Sequence, residues 1–215
     1  MNKLEGILWD MDGVLVDTGE FHFHSWQTAL DAHNIPFSRQ AFRETFGMNN
    51  TGILKLLLGE RFIPTLYEEI STQKEISFRQ AIQGKVALLP GVSGLLDAVQ
   101  KAEIPQAIAS SAPPENIHAI ISELGLGDFF QAQISAFAMP GKPDPAVFLA
   151  AAQALKATPS ACVVIEDAIA GVQAAQRAGM KCIAVTTTNS ASVLSFADRV
   201  VANLVELTVK DLELL

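Results

Sequence analysis

Short, unbroken apolar runs recur along this chain, and helical stretches separate most of them. Five are strand-length: Gly6–Asp10, Pro105–Ser110, Ala132–Ser135, Cys162–Glu166 and Lys181–Thr186, with a weaker sixth at Arg199–Val201. A run without polar alternation has both faces covered, which is the habit of strands in parallel sheets. The stretches between them carry helix punctuation. Val92–Lys101 follows Pro90-Gly91, and Glu115–Leu124 follows Pro113-Pro114 and stops at Gly125. Pro145–Leu155 follows Lys142-Pro143-Asp144, and Ala168–Ala178 ends at Gly179. Proline opens a helix because its missing N–H has no partner there anyway, and glycine closes one in the left-handed conformation. Strand and helix in alternation predict an α/β fold, a parallel sheet with helices on both faces.

One segment breaks the alternation. Residues 17–85 contain no convincing strand. Glu20–Ala32 is helical in pattern, with Phe23, Trp26, Ala29 and Leu30 near one face, and Arg39–Phe46, Gly52–Leu58 and Pro64–Gln83 also read as helix. A helical insertion after the first strand sits at the sheet edge where open α/β sheets bind ligands, so it is placed to act as a lid.

Composition narrows the function classes. With 49% hydrophobic residues in 215, the chain can bury a substantial core. A net charge of −8 disfavours sequence-independent nucleic-acid binding. The apolar run near the N-terminus is too short for a signal peptide, and no stretch approaches the roughly 20 apolar residues of a membrane span. Cys162 and Cys182 sit inside apolar runs without a CxxC partner and read as reduced core thiols, in keeping with a cytoplasmic protein. Without a secretion signal, the sequon Asn49-Asn50-Thr51 is treated as chance.

The strands end in chemistry. The first closes on Asp10 with Asp12-Gly13 behind it, the second on Ser110-Ser111 and the fourth on Glu166-Asp167, while Gly141-Lys142-Pro143 follows the third. In a parallel sheet these ends share one edge. Four carboxylates gathered there need a counter-charge, and oxygen-only ligands able to share with a phosphate suit Mg²⁺. Lys142 could pair with a carboxylate and a phosphoryl oxygen, and Ser110 with nearby amides could hold the others. Gly13 permits positive φ or close backbone approach. A carboxylate can be a nucleophile in phosphoryl transfer, and Asp12 beside it could carry the proton. Taken singly, each motif has a structural alternative: a turn for the Asp10/Asp12 pair, a helix cap for the serines, a solvated lysine, dipole-favoured acids before a helix. Asp17 reads as a turn or capping residue.

The motifs "DMDGVLVDT" (10–18), "ASS" (109–111), "GKPDP" (141–145) and "VIEDAIAGVQAA" (164–175) stand in an order and spacing that resembles the haloacid dehalogenase superfamily of aspartate-nucleophile phosphotransferases. The resemblance covers nearly the whole chain. It implies a Rossmann-like core of 1–16 and 87–215 with a helical cap over 17–86, and Mg²⁺ as cofactor. By the same resemblance Asp10 is the nucleophile, and Asp12 is the general acid/base whose backbone carbonyl also binds the metal. Ser110 and the amides around Ser111 hold the phosphoryl group, Lys142 ties nucleophile to phosphate, and Glu166 and Asp167 complete the metal site. Dehalogenation is disfavoured, because dehalogenases lack the second aspartate, here Asp12.

Within the superfamily, "DTGEFHFHSWQTAL" (17–30) is similar to the β-phosphoglucomutase branch, in which the residue matching His22 sits at the hinge and Lys74 falls where a cap lysine reaches the site. Two departures count against a mutase. Asn50 stands where the mutase has a distal-phosphate arginine, and Ala112, Pro113 and Pro114 replace its serine, lysine and asparagine. Asparagine cannot supply a bidentate, charge-assisted clamp. The expectation is therefore a monomeric, Mg²⁺-dependent phosphatase of a small phosphorylated metabolite. A mutase is the alternative, with Arg43 or Lys55 as substitute clamps, and a phospho-accepting receiver-like module a more distant one. His22, Trp26, Met48, Asn49, Asn50 and Lys74 are the expected specificity positions in the cap.

Overall fold

Strand β1 (Gly6–Trp9) is buried at all four residues and lies at the centre of the sheet. The computed structural model describes residues 3–215. Strand β1 pairs in parallel with β2 (Gln106–Ser110) on one side and β4 (Cys162–Glu166) on the other. Strand β3 (Ala132–Ser135) extends the sheet beyond β2, and β5 (Lys181–Val185) and β6 (Arg199–Val201) extend it beyond β4. The order is β3-β2-β1-β4-β5-β6, every pair parallel, as the apolar runs predict. Pro105 falls just outside β2, since proline has no N–H for the ladder, but its carbonyl still accepts from Ile7 N at 2.9 Å.

Successive side chains of a strand point to opposite faces, and each face has its own core. Ile7, Trp9, Ile108 and Ile165 pack with helices α5 (Val92–Lys101) and α6 (Pro114–Glu123) on one side. Leu8, Ala107, Val164 and Cys182 pack with α7 (Ala146–Leu155) and α8 (Ile169–Arg177) on the other. Helix α5 shows why this works: Val92, Leu95, Leu96 and Val99 recur at helical spacing and all are buried. Both cysteines are free and buried, and burial pushes the Cys162 thiol up to about 11, so they serve as packing. A short C-terminal helix, α9 (Val209–Glu213), was not anticipated from the apolar pattern. Its signature is the capping box in which Thr208 accepts from Asp211 N while the Asp211 side chain accepts from Thr208 N.

Four helices fill the gap between β1 and α5: α1 (Gly19–Asp31), α2 (Arg39–Thr45), α3 (Asn50–Leu58) and α4 (Pro64–Ile82). They build a third apolar cluster from Phe23, Trp26, Leu30, Phe37, Leu54 and Ile70. The end of α4 departs from it: Phe78 and Ile82 join the sheet's core instead, so α4 ties the helical insert to the sheet. No helix among the described residues is long and apolar enough to cross a membrane.

Candidate active site

Chain connections leave β1 toward β2 and leave β4 toward β5, in opposite directions across the sheet. The crevice between β1 and β4 is the topological switch point of the fold. The register pairs Trp9 with Ile165, and Asp10 N continues the ladder to Ile165 O at 3.0 Å. Asp10 and Glu166 are thereby neighbours on adjacent strand ends. Lys142 arrives from the loop after β3 and joins them, its Nζ 2.6 Å from Asp10 Oδ1 and 2.7 Å from Glu166 Oε1. All three side chains are buried, and the two carboxylates hold the Lys142 ammonium above its ordinary value against the opposing effect of burial.

Two glycines make room for this packing. Gly13 has φ +85°, and a Cβ there would lie 1.9 Å from Asp167 Oδ2. At Gly171, in the first turn of α8, a Cβ would lie 1.7 Å from Glu166 Oε1. Gly171→Ala therefore sets two effects against each other. Helix propensity favours alanine by about 1 kcal/mol. Displacing a buried carboxylate from its lysine is an overpacking cost of about 1–3 kcal/mol, added to a loosened ion pair. The contact is far inside van der Waals distance, so packing wins, and urea unfolding should show net destabilisation. A stabilised variant would mean that Glu166 moves aside freely.

Asp12 is turned away from Asp10, toward the start of the insert. Its Oδ1 accepts a short hydrogen bond from Thr18 Oγ1 and lies 3.1 Å from His22 Nε2. The His22 ring stacks on Phe78 with centroids 4.0 Å apart. Burial pushes the Asp12 carboxyl up, but His22, Thr18 and Lys74 together draw it below its ordinary value. Asp17 is exposed and only weakly orders the turn, its Oδ1 3.4 Å from Gly19 N. Thr18 precedes α1 without capping it, because its hydroxyl goes to Asp12.

Asp10, Glu166 and Asp167 each offer an oxygen within 4.8 Å of the others. Three carboxylates facing one ammonium leave excess negative charge. Burial, and then Glu166, push the Asp10 carboxyl upward while Lys142 draws it back. Burial also pushes Asp167 well up, with Glu166 and Asp10 adding to it. Glu166 Oε2 accepts from the N–H groups of Asp167 and Ala168, at 2.7 Å each, so both its oxygens have partners. Asp167 differs. Its Oδ2 accepts from Thr188, but its Oδ1 is buried with no hydrogen-bond partner among the described residues. An orphaned carboxylate oxygen beside a surplus of negative charge fits a hard divalent cation. Asp10 and Asp167 have the freer oxygens for it, and the Glu166 side chain is committed first to Lys142. The Asp12 side chain lies outside this cluster.

Between the strand ends and the insert, the space open to water-sized molecules is about 50 Å³, room for a few waters. Ser110 lines it from the core, while the Ser111 hydroxyl donates to Gly47 O of the insert at 2.7 Å. Of the expected cap positions, His22, Trp26, Met48, Asn50 and Lys74 line this space. Asn49 does not: it caps α3 through Gly52 N and donates to the carbonyls of Ala136 and Met139, both at 3.1 Å. Asn50 turns within the insert, donating to Ser71 Oγ at 2.8 Å and Glu75 Oε1 at 2.7 Å. Neither suggested substitute clamp reaches the space. Arg43 is exposed, and Lys55 lines a separate hollow with Met139 and Gly141. Three residues here escaped the sequence reading: Glu75, Asn116 and Thr188. The adjacency of Glu75 to Lys74, and the polar run Thr186-Thr187-Thr188-Asn189 after β5, were the available signals.

A family model described as haloacid dehalogenase-like hydrolase matches residues 4–179. The β-phosphoglucomutase of Bacillus subtilis is 32% identical over 190 residues, covering 85% of this chain and 83% of its own. The fructose-1-phosphate phosphatase of Escherichia coli is 29% identical over 184 residues, covering 84% and 96%. Among solved structures, the β-phosphoglucomutase of Clostridium difficile superposes with a TM-score of 0.87 at 25% identity, covering 97% of this chain and 95% of that one. These relatives act on phosphoesters, and the acids, lysine and serine gathered at the switch point are the groups such chemistry uses. With four motifs converging on one sheet edge and a match across most of its length, the chain belongs to the haloacid dehalogenase-like hydrolases and is an enzyme of phosphoesters.

Proposed function

We propose that this enzyme is a Mg²⁺-dependent phosphatase of a small phosphomonoester, a sugar phosphate being the fitting class, working through an aspartyl-phosphate. Asp10 attacks phosphorus as the bond to the leaving oxygen breaks. The proton for that oxygen comes from Asp12 and His22, which at 3.1 Å act as one acid–base unit. The same pair then takes a proton from the water that attacks the aspartyl-phosphate, releasing phosphate and restoring the Asp10 carboxylate. Ser110 and the amides after it hold phosphoryl oxygens, and Lys142 keeps Asp10 oriented. Mg²⁺ held by Asp10 and Asp167 would offset the negative charge that gathers as phosphoryl group and carboxylate meet. The helical insert serves as a cap. Standing over the strand ends, it would open to admit substrate and close to exclude water.

The observation that carries hydrolysis over isomerisation is Asn50. It stands where a mutase clamps the distal phosphate, yet its amide is bonded to Ser71 and Glu75 within the cap. The mutase reading keeps the support of the Bacillus subtilis relative and of His22 beside Asp12. The test is phosphate release from a panel of sugar phosphates with and without Mg²⁺. Release from one or more members, abolished by chelation, is expected. Conversion of glucose 1-phosphate with a bisphosphate activator, without free phosphate, would select the mutase instead.

A further inference from the structure

We infer that Glu75 fixes which phosphoesters this site takes: it neutralises Lys74 and accepts hydroxyl hydrogens, so the leaving group is a polyhydroxylated carbon chain without a second phosphate. This rests on the phosphatase reading above and extends it to the far wall of the cavity. Lys74 is the only lysine or arginine among the described residues that line the cavity. Its Nζ lies 5.3 Å from the centroid of Trp26 and 5.2 Å from that of Phe78, flanked by two aromatic rings. Alone, it would be a ready site for an anion.

It is not alone. Glu75 Oε1 is 2.8 Å from Lys74 Nζ, and both residues are buried. The same oxygen accepts from Asn50 Nδ2, and Oε2 accepts from Asn116 Nδ2 at 2.6 Å. The far wall of the cavity thus carries no net charge. A second phosphate placed there would meet Glu75 at close range, or would take Lys74 away and leave a buried carboxylate uncompensated, which is expensive. A hydroxyl faces neither cost. It donates to a Glu75 oxygen and accepts from Lys74, so every group keeps a partner. A buried polar wall of this kind discriminates strongly, because a ligand that fails to match it leaves those groups unpaired.

A purely structural role for Glu75 is the competing account, since Asn116 belongs to α6 and also accepts from Arg79 at 2.9 Å, tying α4 to the core. Glu75→Gln separates the two. The amide keeps the shape and much of the hydrogen bonding but drops the charge. The full chain with Mg²⁺ is assayed with p-nitrophenyl phosphate, and competitive inhibition constants are measured for fructose 1-phosphate and fructose 1,6-bisphosphate. Wild type should prefer the monophosphate. In Glu75→Gln the ratio of the two constants should shift toward the bisphosphate by about tenfold or more, and Lys74→Met added to it should cancel the shift. An unchanged ratio overturns the inference. So does an equal shift in Asn116→Ala, which cuts the tie to α6 but leaves the Lys74–Glu75 pair. If wild type hydrolyses no monophosphate, it is the phosphatase reading that fails, and the same ratio is then read by calorimetric titration of the Mg²⁺-loaded protein.

Discussion

Asp10→Asn is expected to abolish phosphate release, by about 10⁴-fold or more, while leaving the protein folded. The amide cannot form an acyl phosphate, and loss of a nucleophile removes a whole reaction path rather than one contact. Asparagine keeps an oxygen for Lys142 Nζ, so the geometry at the strand end survives. Stability should move the other way from activity. Burial pushes the Asp10 carboxyl up to about 7, above its unfolded value. A carboxyl raised on folding contributes stability that is present at low pH and lost as pH rises through the folded value. The asparagine variant lacks that loss. Without Mg²⁺ it should therefore match wild type near pH 4, gain on it progressively as pH rises toward 7, and keep that advantage above 7. Thermal unfolding from pH 4 to 8 checks the second half, and phosphate release the first. Turnover at the wild-type rate would remove Asp10 from the role of nucleophile.

Lys142→Met should be the most destabilising single change at the site. The Lys142 side chain is fully buried and is the cation for both Asp10 and Glu166. Removing one partner of a buried ion pair leaves the others uncompensated, at a cost of about 3–5 kcal/mol. Methionine fills the volume, so a cavity does not explain the loss. Two signatures separate charge from packing. The destabilisation should shrink as pH falls, because burial already pushes the Asp10 carboxyl up and it can then take up a proton. It should also shrink on adding Mg²⁺, since a ligand that binds only the folded state raises its stability and the variant's acid cluster has the greater need of a cation. Urea unfolding at two pH values, with and without Mg²⁺, reads both. A variant as stable as wild type in metal-free buffer would mean the cluster sheds its charge by another route.

The core of the site was legible in the chain because each of its parts is tied to a local signal. Asp10, Ser110 and Glu166 close apolar runs, and Lys142 precedes a proline and a helix. A parallel sheet brings all such ends to one edge, whatever the loops between them do. The same logic could not tell Asn49, which lies outside the cavity, from Asn50, which lines it. They are adjacent, and both were expected at the substrate. One residue of helix start separates them: Asn49 caps α3 and faces the loop after β3, while Asn50 is the first helical residue and faces Glu75. Spacing alone does not say where a helix begins to within one residue.

By itself the sequence determined the sheet, the edge at which it gathers acids, and the place of the helical insert. Those follow from hydrophobic period and from the order of motifs, which are properties of neighbouring residues. Only the tertiary structure decided how the charges divide. Asp12 turns to Thr18 and His22, Glu166 belongs first to Lys142, Asp167 keeps an unpartnered oxygen, and Glu75 cancels Lys74. Several of these roles depend on partners brought in from distant parts of the chain. Even the adjacent pair Lys74 and Glu75 gains its meaning from burial, because a lysine and a glutamate side by side are a solvated face in water and a neutralised wall beneath Trp26 and Phe78.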